Sequence, residues 1–199
     1  MNTWVMGGCA DTLFSVMAAA PQSIGGFAYT AATVGLLNAF MGIVILIASL
    51  VMVPPLARKL GALRTVQLGF CLYVPMWQLV PLAALLSSMP ALQLGLMIVF
   101  KLFRAVVGSI TFSGVWMVVC NTASGRNMAF VTSLGDTLGT VFASIGPAVA
   151  GVLWREFSWR VFPMHNFIAW SVPSLMSLTM FIISMGLPCS INSPRPIRS

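Results

Sequence analysis

The stretch AATVGLLNAFMGIVILIASLVMVPPLARKLGALRTVQLGFCLYVPMWQLVPLAALLS, from Ala31 to Ser87, decides the fold class. Two charge-free apolar runs, 31 to 53 and 65 to 87, flank one short basic connection. Each run is long enough to cross the roughly 30 Å hydrocarbon layer as a helix, which needs about 20 apolar residues. Neither alternates with period two, so helices are expected and not the strands of a barrel. The same pattern recurs outward from this pair. Further apolar runs occupy about 3 to 20, 93 to 119, 128 to 153 and 164 to 187, set apart by PQSIGG (Pro21 to Gly26), SSMP (Ser87 to Pro90), NTASGR (Asn121 to Arg126) and WREFSWR (Trp154 to Arg160).

Composition agrees. Of 199 residues 59% are hydrophobic and 7% charged, and the mean hydropathy is +0.98. Soluble domains carry about 25% charged residues, so a water-soluble globule is excluded. The expected architecture is an all-α polytopic membrane protein of about six transmembrane helices. Residues 1–188 form one bundle and residues 189–199, INSPRPIRS with the two residues before it, form a short tail. The lipid bilayer is thus the first partner. The net charge of +7 suits the positive-inside bias or an anionic leaflet, and no aromatic-interleaved basic patch points to nucleic acid.

With six spans both termini share one side. Arg58, Lys59, Arg64, Arg126, Arg195 and Arg198 fall there, and Arg155 and Arg160 fall opposite, partly offset by Glu156. Both termini are therefore expected in the cytoplasm, in a plasma, vacuolar or other internal membrane. Cys9, Cys71, Cys120 and Cys189 are widely spaced and His165 is the one histidine, so no metal site and no cofactor are expected.

Ionisable residues inside spans mark functional candidates, because each costs roughly 2.5–3.5 kcal/mol at the bilayer centre on insertion scales. Asp11 lies within the first run. Lys101 and Arg104, three residues apart in the fourth run, share a helix face. They are either deep, cavity-facing cations or residues that snorkel to the outer headgroups, with Arg104 the deeper. Asp136 lies early in the fifth run. Gly135, Gly139 and Ala143 recur every fourth residue, the spacing of close helix packing, and Gly146 with Pro147 is expected to interrupt that helix as a flexing point.

The connection VPPLARKLGALRTVQLG (Val53 to Gly69), with Arg58, Lys59 and Arg64 about a Gly-containing turn, resembles the basic cytoplasmic loop of major facilitator superfamily transporters. PQSIGGFAYTAATVGLLNAFMG (Pro21 to Gly42) resembles the junction of the seventh and eighth helices in a fungal and plant drug and metabolite branch of that superfamily. NTASGRNMAFVTSLGDTLGTVFASIGPAVAGVLW (Asn121 to Trp154) is similar to that branch's tenth-to-eleventh loop and eleventh helix, with IGPA at Ile145 to Ala148. Asp136 departs from the uncharged residue usual there.

The resemblance covers about Ala10 to Pro188. It implies the carboxyl-terminal six helices of a twelve-helix secondary transporter of a small molecule, in truncated or half-length form, working by alternating access and not as an enzyme. A missing amino-terminal half or a second copy would complete the site, and without it the Gly135, Gly139 and Ala143 face would meet lipid. One alternative is a six-helix membrane scaffold or assembly protein without transport. A more remote one is a rhomboid-like intramembrane protease using Ser113 and His165, whose TFSG lacks the leading glycine of the expected G-x-S-G.

Overall fold

The computed structural model describes residues 2–123, 127–157 and 164–188. The tail after Pro188, the ends of the fourth and fifth connections and the basic residues Arg126, Arg160, Arg195 and Arg198 lie outside the described residues. Among the described residues all regular structure is helical. Helices α1 (Asn2–Ala19), α2 (Ala31–Val51), α3 (Val53–Leu60), α4 (Ala62–Met76), α5 (Leu79–Ala84), α6 (Pro90–Thr122), α7 (Met128–Phe157) and α8 (Met164–Met185) follow one another. Five helices are long and apolar enough to cross a membrane, with α4 and α5 joined as one, and α1 is a shorter apolar helix. The protein is an all-α multi-pass membrane protein.

The structure departs from the expected outline in two places. The stretch after Val53 is not a plain turn. Pro54 and Pro55 fall in the first turn of α3, where a missing N–H removes no hydrogen bond, and Arg58 and Lys59 fall in its last turn. The sharp reversal is left to Gly61, whose φ of 81° is open to glycine and strained for any other residue. Between α1 and α2 the chain folds back on itself. The amides of Phe27 and Tyr29 donate to the carbonyls of Met17 and Ala18, and Asn166 of α8 donates to the carbonyl of Gly25 at 2.9 Å.

The second departure is at Gly146 and Pro147, which do not interrupt α7. The helix runs unbroken from Met128 to Phe157. Proline removes one N–H donor, which leaves the carbonyl of Ala143 without its helical partner. Helix α1 closes over that spot. A Cβ on Gly8 would lie 2.8 Å from the Ala143 oxygen, and one on Gly146 would lie 2.6 Å from the Cys9 nitrogen. A Cβ on Gly139 would lie 2.7 Å from the Trp4 ring, while one on Gly135 would lie 3.6 Å from the ring of Trp116 in α6. The small-residue face is thus taken up by α1 within this bundle, which corrects the expectation that it lies bare without a second one. Spacing along α7 specifies a close-packing face but not which helix fills it.

A similar approach joins α4 to α6, where Gly114 lies against Val66 and Gly69 against Thr111. Helix α4 also packs on α8, and α6 on α2. Trp77, Phe100 and Trp170 meet at the centre with ring separations of 5.9 to 6.4 Å. The Trp77 Nε1–H donates to Ser177 Oγ at 3.1 Å, and Gln78 donates to Ser174 Oγ at 2.9 Å. In hydrocarbon, where no water competes, such side-chain bonds link helices that dispersion alone would hold.

Gly146→Ala is expected to destabilise the bundle by about 1–3 kcal/mol, because its Cβ would meet α1 backbone that cannot rotate away. Gly135→Ala is expected to change stability by less than about 0.5 kcal/mol. Thermal unfolding in detergent, followed by tryptophan fluorescence, checks both. Equal losses would show that the α1–α7 contact is looser than described.

Candidate functional site

Helix α6 is 33 residues long, about 50 Å at 1.5 Å per residue. Lys101 and Arg104 therefore lie roughly 16 and 21 Å from its start. Both side chains turn inward to partners within the bundle. Lys101 is 1% exposed. Its Nζ donates to Asn38 Oδ1 of α2 at 2.8 Å and stands 3.6 Å above the Phe14 ring of α1. Arg104 turns into the bundle and pairs with Asp11, Nη2 to Oδ1 at 2.6 Å. Asp11 is thus gathered between α1, α2 and α6 with two cations that lie 90 or more positions further along the sequence. Asn38 and the Phe14 face carry no signal in the sequence, since an asparagine in an apolar run and a phenylalanine in another are unremarkable.

The ion pair is lopsided. The Asp11 side chain is 54% exposed and that of Arg104 11%. The guanidinium is fixed on its other sides by Met41, whose sulfur accepts from Nη1 at 3.2 Å, and by the Trp77 ring 5.7 Å away. The pair forms part of the wall of a cavity of about 450 Å³, a size suited to a small organic molecule. Further wall comes from Trp4 and Gly8 of α1, Ile45 and Ser49 of α2, Tyr73 and Trp77, Phe112 and Ser113 of α6, and Ala143 of α7.

The first half of α1, the second half of α2 and the second half of α6 supply these residues. In a chain that crosses back and forth, all three point to the end of the bundle that holds Arg58, Lys59 and Arg64. At the other end Phe14, Phe27, Met97, Phe100 and Trp170 are buried together. The cavity therefore ends at the ion pair, about midway along the helices.

Other sequence candidates fall elsewhere. Arg58, Lys59 and Arg64 are exposed around Gly61 and take no part in the cavity. Gly139, Gly146 and Pro147 are structural contacts of α7. Ser113 lines the cavity, while the side chain of His165 lies outside the described residues. Asp136 is exposed on α7 and, among the described residues, forms no ion pair. Ser133, Thr137, Thr140 and Ser144 are exposed with it, and at that spacing all five share one helix face. Among the described residues no cluster of three His, Cys, Asp or Glu could hold a metal.

No family model and no solved structure matches the chain. Curated proteins do. A major facilitator superfamily multidrug transporter of Aspergillus fumigatus is 25% identical over 188 residues, 89% of this chain. The probable peptide/nitrate transporter of Arabidopsis thaliana is 28% identical over 152 residues, 75% of this chain. The Arabidopsis protein ZINC INDUCED FACILITATOR-LIKE 1 is 28% identical over 147 residues, 74% of this chain. The chain spans about 30% of the length of each.

If Asp11 and Arg104 are one energetic unit, a double-mutant cycle with Asp11→Asn and Arg104→Gln should give a coupling energy of roughly 0.5–3 kcal/mol. Removing either partner alone leaves the other charge uncompensated near mid-membrane, so the double variant should be more stable than Arg104→Gln. Additive losses would show that the two groups do not depend on each other. In sequence, the chain resembles curated transporters, among them a multidrug transporter of the major facilitator superfamily.

Proposed function

We propose that the chain is one six-helix half of a secondary transporter, corresponding to the carboxyl-terminal half of a twelve-helix protein, and that it moves a small molecule by alternating access. The observation that carries this reading is the Asp11–Arg104 pair at the wall of a mid-membrane cavity. A charge pair placed there is costly for a purely structural bundle and is what a substrate or coupling-ion site needs. The names of the two transporter relatives favour the same reading.

A second bundle belongs to the proposal. Helices α2 and α7 are the least buried of the membrane-length helices. The exposed face of α7 carries a carboxylate and four hydroxyl residues, which is unfavourable against lipid and suitable against water or another bundle. That face, together with the cavity mouth, is where an amino-terminal half or a second copy would close the site. In this reading Asp11, Arg104 and Lys101 belong to the substrate or proton pathway. The basic loop at Arg58, Lys59 and Arg64 faces the cytoplasm, as do both termini.

Reconstituted alone, the chain is expected to show no substrate-dependent flux above empty vesicles. Joined to a matching six-helix half, it should show flux that Arg104→Leu abolishes at unchanged membrane abundance. Full flux in the joined Arg104→Leu protein would remove the site from the mechanism. Flux by a homodimer of the chain would replace the half-transporter reading with a stand-alone one.

A further inference from the structure

Arg104 is held in place by weak partners. A guanidinium offers five N–H donors in a planar fork that matches a carboxylate bidentately. Among the described residues one arm meets an Asp11 oxygen and a second arm meets the Met41 thioether, a weak acceptor. Asp11 itself is more than half exposed and Arg104 is 11% exposed, so the acid is the partner with room to turn away and the guanidinium the enclosed one. Lys101 adds a second cation one turn away, and among the described residues it has no carboxylate partner. The immediate charge around the inner end of the cavity is therefore two positive against one negative.

The rest of the wall is aromatic and hydroxylic. Trp4, Tyr73, Trp77 and Phe112 present ring surface, with Tyr73 stacked on Trp77 at 5.2 Å and Phe112 set edge-on to Trp4 at 5.4 Å. We propose that this cavity takes an amphipathic organic anion with a single carboxylate, which displaces Asp11 from the Arg104 fork while its apolar body lies among those rings. The assignment names the substrate class of the transport site and so rests on that reading. Asp11 acts as the internal competitor: it satisfies Arg104 when the cavity is empty and moves to water in the cavity when the anion binds. No bond is made or broken.

The probes are benzoate, neutral benzamide and cationic benzylammonium, which share a ring and differ in charge. Binding to the purified chain in lipid nanodiscs is read by titration calorimetry, independently of flux. Benzoate should bind saturably and at least tenfold more tightly than either isostere. Asp11→Asn should tighten benzoate binding several-fold, because the internal competitor is gone. Arg104→Gln should weaken it more than tenfold, a loss of about 1.4 kcal/mol or more. Where Arg104→Gln folds poorly because Asp11 is orphaned, the double variant leaves no unpaired charge of this pair and should also fail to bind.

Preference for benzylammonium, weaker benzoate binding in Asp11→Asn, or no saturable benzoate binding in either protein would overturn the proposal. So would parent-like binding by the double variant. Benzoate binding without flux in any reconstitution supports the anion site and counts against transport alone.

Discussion

A carboxylate and a guanidinium 2.6 Å apart near the middle of two membrane helices constrain everything built around them. Hydrocarbon does not tolerate either group alone, so α1 and α6 must bring them together and water must reach the exposed acid. The cavity is the consequence. Its inner end is the pair, its sides are the aromatic residues of α1, α4 and α6, and beyond it the bundle is packed dry around Phe14, Phe100 and Trp170. Lys101 fits the same logic by a different route. With the acid already engaged, its ammonium is supported by an amide oxygen and the face of a ring, a cation–π contact that strengthens when water is excluded.

Holding α1 in register for that pairing falls to backbone contact with α7. Lipid tails are as apolar as leucine, so helices in a bilayer gain little from burying large side chains and more from closeness. Gly8 against Ala143 and Gly146 against Cys9 supply that closeness within one turn of Asp11. Pro147 contributes by leaving a carbonyl free where Gly8 comes nearest. The residues that look like a flexing point therefore serve here as an anchor for the helix that carries the acid. The polar face of α7 lies around the same helix, at Ser133, Asp136, Thr137, Thr140 and Ser144, and stays exposed.

Much of this was legible in the residues. Apolar runs of membrane length placed the helices to within a few positions, because the bilayer imposes a length that local sequence must meet. Ionisable residues inside those runs identified Asp11, Lys101 and Arg104, since each is too costly to be incidental. What could not be read was pairing. Asp11 and Arg104 lie in helices separated by two other membrane crossings, and nothing in either run records that they meet. Asn38 as the partner of Lys101, Trp4 as the filler at Gly139 and α1 as the neighbour of the small-residue face are all facts of three-dimensional arrangement. Pro54 with Pro55 and Gly146 with Pro147 misled for another reason: prolines that punctuate an isolated helix can start one, or pass through one when a neighbour covers the freed carbonyl.

The geometry requires that water reach the ion pair through the cavity from the end of the bundle that carries the basic loop. Ser49 and Ser113 line that cavity on two different helices. In a chain whose four native cysteines are replaced, Ser49→Cys and Ser113→Cys placed one at a time should react with a small membrane-impermeant thiol reagent added on the Arg58–Arg64 side and not from the other. Failure of both to react from either side, or reaction only from the opposite side, would contradict the account.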